Sequence, residues 1–240
     1  MKNLKKIRNQ PLNRSLFRRE ASSRSALRFS PTAWAKLLYL REAGESEIGG
    51  FGISAADNPA FIEDVKLIRQ SCTAVSVVFD DRAVADFFDE QVDLGLSPVR
   101  FARIWVHTHP GECPLPSATD EETFARVFDR TDWAIMFILA GGENSYARVR
   151  YNVGPQTTAM LPVLVDFTRP FAACNVAVWR KEYEANVSIL QPQYFAGDEE
   201  HLARDGAYEL YRVREDDRCD LVSEAELEEL HERFVYEAGR

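Results

Sequence analysis

The sequence is poor in cysteine, which limits how the fold can be held together. Its 240 residues include four cysteines, at positions 72, 113, 174 and 219, and none of them forms a C-x-x-C pair. Widely spaced single cysteines argue against a disulfide framework and are typical of a reducing compartment. We therefore expect a cytoplasmic protein, and its 45% hydrophobic content, with 15 phenylalanines, is sufficient for a real core.

Long apolar runs are also missing. The sequence contains no stretch of 18 apolar residues and therefore predicts no transmembrane helix. The N-terminal 30 residues lack the apolar core of a secretory signal. We expect no association with a membrane.

Positive charge is scarce outside the N-terminus. The net charge is −9, but residues 1–30 carry nine Lys and Arg against one Glu, whereas the other 210 residues carry 20 basic and 37 acidic side chains. We interpret residues 1–29 as a solvated basic arm. The alternative is electrostatic docking onto an acidic surface, onto nucleic acid or onto the chain's own acidic C-terminus. Nucleic-acid binding has no support in the sequence other than this arm.

The hydrophobic pattern after residue 30 predicts an α/β domain. Helices are predicted at 30–44, 81–96 and 118–130, and strands at 47–54, 61–68, 73–80, 99–109, 132–140, 145–153 and 160–167. This order favours a mixed β-sheet flanked by helices. We assign residues 30–168 to this domain and residues 169–240 to a C-terminal extension, with helices predicted at 176–189 and 221–238.

Histidine is as rare as cysteine, yet two of the four histidines stand one residue apart, at His107 and His109. On an extended strand, residues i and i+2 face the same side, so both imidazoles can reach one ion. Asp120 follows in the first turn of a predicted helix and can supply a carboxylate. Two nitrogens and one carboxylate are a typical ligand set for catalytic zinc, with one coordination position left open.

The same residues also have a purely structural interpretation. The segment Ser117-Ala-Thr-Asp120 is an acceptable helix capping box, and an aspartate near a helix N-terminus is favoured by the helix dipole. A His-x-His pair at the end of a strand is by itself a weak signal for a metal.

Taken together, these segments resemble the signature of the JAMM (JAB/MPN) metalloproteases. That signature is a glutamate in an E-x-x-G strand, followed by H-[ST]-H-P-x6-S-x-x-D. Here Glu47-Ile-Gly-Gly50 precedes His107-Thr-His109-Pro110, and Ser117-Ala-Thr-Asp120 follows at the expected spacing. The resemblance covers about residues 30–168, and it implies a curved mixed sheet flanked by helices, related to the cytidine deaminase fold.

The resemblance also implies a role for each residue of the motif. His107, His109 and Asp120 would bind Zn²⁺. Glu47 would act as general base, and then as general acid, for a water activated by the zinc ion. Ser117 would donate a hydrogen bond to the developing oxyanion.

Glu47 has a rival in Glu45, two residues earlier on the same predicted strand face. We prefer Glu47 because Gly50 lies three residues after it and Gly52 two residues further on. The glycines would let another chain approach closely, which suits an extended Gly-Gly tail bound as an added strand.

Active members of this family hydrolyse the bond that follows the C-terminal tail of ubiquitin or of a ubiquitin-like protein. We therefore expect a zinc-dependent isopeptidase or peptidase whose partner is a ubiquitin-like protein or its conjugate. The alternative is a non-catalytic, zinc-containing scaffold or a protein-binding module in a larger assembly. Base deamination is not supported, since the chain lacks H-x-E followed by P-C-x-x-C. The sequence favours no particular oligomeric state.

Cys113 lies within the predicted ligand loop. Because thiolate is a good zinc ligand, Cys113 could occupy the open coordination position. The alternative is a small, inert residue in a proline-rich loop.

Overall fold

The computed structural model describes residues 26–190. Its helices are α1 (Pro31–Glu42), α2 (Asp81–Asp93), α3 (Pro98–Phe101), α4 (Ala118–Phe128) and α5 (Val176–Asn186). Its strands are β1 (Leu27–Phe29), β2 (Gly49–Ser54), β3 (Phe61–Leu67), β4 (Gln70–Thr73), β5 (Ser76–Phe79), β6 (Ile104–Thr108), β7 (Trp133–Leu139), β8 (Ser145–Tyr151), β9 (Thr157–Met160), β10 (Val163–Val165) and β11 (Val187–Ile189). Within this part of the chain, every helix is too short or too polar to cross a bilayer.

Eight of these strands form one mixed sheet, in the order β10-β1-β3-β2-β6-β7-β8-β9. β1 is parallel to β10 and β3, and β6 is parallel to β7, whereas the other neighbours are antiparallel. Two hydrogen bonds from the segment between β9 and β10 show that the sheet curls. The Leu161 N–H donates to the Ala147 carbonyl of β8, and the Pro162 carbonyl accepts from the Leu27 N–H of β1. A curled mixed sheet flanked by helices confirms the predicted α/β class.

Apolar packing covers both faces of the sheet. One face packs against α1 through Leu37, and the other packs against α2, α3 and α4 through Phe87, Phe101 and Phe124. Along β6, Ile104 and Val106 belong to the first core and Trp105 belongs to the second. Since successive side chains alternate between faces, His107 lies on the same face as Trp105, next to α4.

The first helix begins as predicted. The Ser30 hydroxyl caps it by accepting from the Ala33 N–H at 3.1 Å, and Pro31 occupies the first helical position. The strand before it, β1, lies inside the segment that we assigned to the basic arm. Leu27 and Phe29 are fully buried in this strand, so apolar burial brings three residues of the arm into the sheet.

The strand predicted at 73–80 is confirmed as β5 at Ser76–Phe79, but its first residues form a tight turn instead. β4 and β5 form an antiparallel hairpin and, with β11, a separate three-stranded sheet. The turn at residues 74–75 has no Gly, Pro, Asn or Asp to mark it. Instead, the Thr73 hydroxyl accepts from the Val75 N–H at 3.2 Å and lies 2.8 Å from the Ser76 hydroxyl, which satisfies the turn locally.

Two other predicted strands are shorter than expected, each next to a proline. In the strand predicted at 99–109, Pro98 begins the short helix α3, and β6 starts at Ile104. In the strand predicted at 160–167, Pro162 separates β9 from β10, and these two strands pair with β8 and β1 respectively. Proline has no N–H to donate, so a continuous strand through Pro162 is disfavoured. Pro98 precedes its predicted strand and favours the first turn of a helix instead.

The helix predicted at 176–189 is correct up to Asn186, where α5 ends and β11 begins. β11 pairs in parallel with β4. In α1, the buried Lys36 Nζ lies 2.7 Å from Glu182 Oε2 and 3.1 Å from Asp64 Oδ1, so a charged group joins α5 to α1 and β3. The helix predicted at 221–238 lies outside the described residues.

Candidate metal centre

The two motif histidines stand at the end of the buried strand β6. His107 is opposite Gly49 of β2 and Ile138 of β7, so it has a strand on each side. Its ring stacks on that of Trp105, with centroids 4.3 Å apart, and the His109 ring centroid lies 5.2 Å away. His107 is 1% exposed, whereas the His109 side chain is 13% exposed. The strand therefore presents one sealed and one partly accessible imidazole.

Asp120 approaches the histidines from the first turn of α4, and its carboxylate is held by a capping box. Asp120 Oδ2 accepts from the backbone N–H and from the hydroxyl of Ser117, both at 2.8 Å. The Ser117 Oγ accepts in turn from the Asp120 N–H at 3.2 Å. The capping and metal interpretations thus apply to the same residues, since the cap fixes the carboxylate in front of the histidines.

His107, His109 and Asp120 form a cluster that can hold a metal ion. Each offers one ligand atom, and these atoms lie within 4.8 Å of one another. His107 Nε2 is 3.3 Å from Asp120 Oδ1, and His109 Nε2 is 3.6 Å from Asp120 Oδ2. Two ligand atoms bound tetrahedrally at 2.0–2.1 Å are separated by about 3.4 Å. The two distances to the Asp120 oxygens are close to this value, so the cluster is compact enough to hold an ion.

The ring nitrogens of the cluster support the same conclusion. Among the described residues, Nδ1 and Nε2 of His107 and Nε2 of His109 are buried without a hydrogen-bond partner that meets distance and angle criteria. Their separations from Asp120 exceed the roughly 2.7–2.9 Å of a charge-assisted hydrogen bond. Buried polar atoms without partners are costly, and a cation bound by one nitrogen of each ring would remove that cost for those two atoms. The residues present therefore fit a divalent metal.

The tautomer of His109 is fixed by the ligand loop. His109 Nδ1 lies 2.9 Å from the backbone carbonyl oxygen of Cys113, which can only accept, so Nδ1 carries the proton. Nε2 is then left with a lone pair directed at the cluster, as is usual for a metal-binding histidine. Cys113 thus contributes its carbonyl group to the site, and its thiol is not a member of the three-residue cluster.

The surroundings favour the metal-binding protonation states of Asp120 and His107, whereas they favour a proton on His109. Burial alone would raise the pKa of Asp120, but the two histidines and the Ser117 hydroxyl hold it well below its ordinary range. Burial lowers the pKa of His107. Burial would also lower the pKa of His109, but the contacts with Asp120, the Cys113 carbonyl and Glu47 give a net rise. A proton on His109 Nε2 would therefore compete with a metal ion for this nitrogen.

Glu47 faces the cluster from the segment that leads into β2. It is 8% exposed, and its Oε1 lies 3.8 Å from His109 Nε2. Burial raises the pKa of Glu47 to about 8, opposed by His109 and reinforced by Asp120. A buried carboxyl group with a raised pKa beside a metal-binding cluster can hold and transfer a proton near neutral pH.

Glu45 occupies a different environment from Glu47. Residues 44–48 do not form a strand, so the expectation that both glutamates share one strand face is wrong. Glu45 is exposed, whereas Glu47 is buried against His109. The preference for Glu47 agrees with this geometry.

The glycines of β2 do not provide an open edge for a substrate strand. β2 is buried along its whole length and paired on both sides, by β3 and β6. A Cβ atom on Gly49 would meet the Phe79 ring at 2.9 Å, and one on Gly52 would meet Ile104 at 3.1 Å. The expectation that a Gly-Gly tail adds to this strand is therefore wrong, since neighbouring side chains already fill the space.

A group of contacts that the motif did not reveal holds the ligand loop. The Arg41 guanidinium of α1 donates to the Pro110 carbonyl at 3.0 Å, and the Gly141 N–H donates to the Gly111 carbonyl at 2.6 Å. The Asn144 side chain donates to the Glu112 carbonyl at 3.1 Å. These residues come from distant elements, and no pattern in the sequence connects them with the histidines.

Two further residues hold the segment that carries Glu47. Thr108, between the histidines, accepts from the Ile48 N–H through its hydroxyl at 3.2 Å and donates its own N–H to the Ile48 carbonyl at 2.9 Å. The Gln70 side chain hydrogen-bonds both the N–H and the carbonyl of Gly49. Thr108 belongs to the H-[ST]-H-P motif, whereas no sequence signal marks Gln70.

No family model matches this chain, and no curated protein matches its sequence.

Proposed function

We propose that this protein is a zinc-dependent hydrolase of the JAMM type that cleaves a peptide or isopeptide bond after the tail of a ubiquitin-like protein. One observation carries the proposal. A two-histidine, one-aspartate cluster lies beside a buried glutamate whose Oε1 is 3.8 Å from a ligand nitrogen. The matching order of the sequence motif supports the same assignment, and with it a JAB/MPN fold for the curled sheet.

The donor set favours zinc. Two imidazole nitrogens and one carboxylate suit this borderline cation, whereas Mg²⁺ and Ca²⁺ prefer oxygen ligands alone. Three protein ligands also leave one coordination position open, as in catalytic rather than structural zinc sites. When bound, the ion would supply Lewis-acid polarisation and would acidify a water molecule.

The protein's own groups would move the proton. Glu47 Oε1 would accept a proton from the attacking water and return it to the leaving nitrogen as the bond breaks. Asp120 and His109 hold their donor atoms in place through the Ser117 cap and the Cys113 carbonyl. For Ser117 to donate to an oxyanion, its hydroxyl would have to leave Asp120 Oδ2, so we assign it first to orienting the aspartate.

The edge of β5 supports an extended substrate tail. β5 is an outer strand of the three-stranded sheet, and its Phe79 packs against Gly49, two residues from Glu47. A tail that added to β5 would gain backbone hydrogen bonds without the need for large side chains. The Gly-Gly terminus of a cytoplasmic ubiquitin-like partner meets this requirement.

Metal analysis combined with a hydrolysis assay tests the proposal. The purified protein is expected to bind one zinc ion per chain and to release the fluorophore from coumarin amides of ubiquitin and of ubiquitin-like proteins ending in Gly-Gly. Chelation should abolish release and added zinc should restore it. Stoichiometric zinc without cleavage of any of these tails would instead indicate the non-catalytic scaffold.

A further inference from the structure

Gly49 lies where β2 extends past the end of its neighbour. Pairing between β2 and β3 ends at Gly50 and Leu67, so β3 provides no partner for the next residue along. On the opposite side, β6 bonds to Ile48, because the Thr108 N–H donates to the Ile48 carbonyl. Since hydrogen bonds alternate sides along a strand, the polar groups of Gly49 point away from β6 into the gap that β3 leaves.

The Gln70 side chain fills this gap. Its Oε1 accepts from the Gly49 N–H, and its Nε2 donates to the Gly49 carbonyl, both at 2.7 Å. Nε2 also donates to the Ile68 carbonyl at 2.7 Å, and Oε1 accepts from the Cys72 thiol at 3.3 Å. Gln70 is 2% exposed, so its carboxamide is a fully bonded, buried substitute for a strand partner.

The strand that carries Gln70 also holds Glu47 directly. The Glu47 N–H donates to the carbonyl of Thr73 in β4 at 2.8 Å. β4 is itself paired on both sides, with Gln70 opposite Phe79 of β5 and opposite Val187 of β11. The Glu47–Gly49 segment is thus bonded to β4 at both ends, and to Thr108 in the middle.

We infer that Gln70 is a positioning residue, whose carboxamide fixes Glu47 in front of the metal-binding cluster by completing the hydrogen bonds of Gly49. The effect of Gln70 on catalysis rests on the proposed function. Its effect on the position of Glu47 does not. The hydrogen bonds of the Gln70 side chain go to Gly49, Ile68 and Cys72, and not to the candidate ligands. Its loss should therefore displace the glutamate and leave the ligands in place.

The test compares Gln70→Met, which keeps the length of the side chain and removes its hydrogen bonds, with the wild type. Amide hydrogen exchange at residues 47–49 should accelerate by about tenfold or more, since buried groups at Gly49 lose their partners. The affinity for Zn²⁺ should stay within a factor of about three, because this substitution touches neither the ligands nor the groups that orient them. The kcat for the coumarin amide of ubiquitin should fall by about 10–100-fold with KM little changed, as expected for a misplaced catalytic group.

Gln91→Met is the matched control, because Gln91 is also a buried glutamine but lies in α2. It should leave exchange at 47–49, zinc affinity and kcat near the wild-type values. If Gln70→Met does not fold, Gln70→Asn keeps a buried amide that is one methylene too short to reach Gly49, and the same measurements apply.

The outcomes separate this inference from the proposed function. If the wild type does not cleave the probe, the proposed activity fails, while faster exchange confined to residues 47–49 still supports the positioning role. Unchanged exchange at residues 47–49 in the folded variant would overturn the inference, whatever the activity. An equal loss of zinc affinity and kcat would also overturn it, since Gln70 would then act through the ligands.

Discussion

The candidate metal ligands and the proposed general base Glu47 are held in opposite ways. The three candidate ligands come from one continuous segment, residues 107–120, in which a strand end, a loop and a helix N-terminus follow directly. Glu47 comes from an irregular segment whose contact with that strand spans 60 residues of sequence. The ligands are therefore positioned by local structure, and the glutamate by long-range hydrogen bonds.

This difference has a consequence for how each part should respond to substitution. The ligand segment contains its own orienting groups, namely the Ser117 cap for Asp120 and the Cys113 carbonyl for His109. The segment around Glu47 depends instead on β4 and on Thr108. Metal binding and proton transfer should therefore be separable by substitution.

The largest effect is expected on the ligand side, from Asp120→Ala. This change removes one donor and leaves two buried imidazoles without a facing carboxylate. Zinc affinity should fall by on the order of a thousandfold or more, because a direct ligand contributes more than the 10–100-fold typical of outer-shell groups. Isothermal titration with Zn²⁺ measures this, and hydrolysis should fall to background.

The neighbouring Glu121→Ala is the control for Asp120→Ala. Glu121 forms an ion pair with Arg148 at 2.6 Å, and its side chain is 42% exposed. Zinc affinity should stay within about threefold, since exposed ion pairs contribute little. Equal losses in the two variants would show that α4 as a whole, and not the ligand, is required.

The second-largest effect is expected at Glu47, the proposed general base. Glu47→Gln keeps the shape of the side chain and removes its ability to accept a proton. Hydrolysis should fall by about 10²–10⁴-fold, the range for loss of a general base, while one zinc ion per chain is retained. Glu45→Gln, at the exposed glutamate two residues earlier, should retain full activity. The reverse result would make Glu45 the base.

A third prediction uses the metal-free protein, in which burial holds the pKa of Glu47 at about 8, against 4.5 for an ordinary glutamate. Between these values, the folded protein keeps a proton that the unfolded chain has lost. This contribution to stability is therefore present below about pH 4.5 and is lost as the pH rises through 8.

The difference in free energy of unfolding between wild type and Glu47→Gln should accordingly change by roughly 3–5 kcal/mol across this window, with the wild type losing stability relative to the variant. Urea unfolding in the presence of a chelator at several pH values measures it. Parallel pH curves for the two proteins would contradict the raised pKa.

The smallest effect is expected from Ser117→Ala, which removes the hydroxyl that caps α4 and orients Asp120. The free energy of unfolding should fall by about 1 kcal/mol, and zinc affinity by about tenfold. Ser97→Ala is the control, since Ser97 is the N-cap of α3 and makes no side-chain capping bond. A much larger fall in kcat at saturating zinc, with affinity unchanged, would instead favour the oxyanion role of Ser117.

The sequence predicted the ligand segment well because its signals are local. The alternation along β6 places His107 on the same face as Trp105, and Ser117 with Asp120 forms the capping box that the S-x-x-D pattern predicts. Helix α1 likewise begins where the helix predicted at 30–44 does, with Ser30 as its cap and Pro31 at its first position. The hairpin at residues 70–79 was missed, because its turn is satisfied by Thr73 and Ser76 rather than by a residue that favours turns.

By itself, the sequence determined which residues can bind a metal and that a glutamate precedes a glycine strand, because spacing along a strand and a capped helix fixes side chains that are near in the chain. Only the tertiary structure decided where that glutamate lies. Its position depends on the meeting of β2, β4 and β6, and on a buried carboxamide at Gln70 that completes a strand where β3 ends. Hydrogen bonds between distant segments leave no periodic pattern in a sequence, so their partners become visible only in the folded protein.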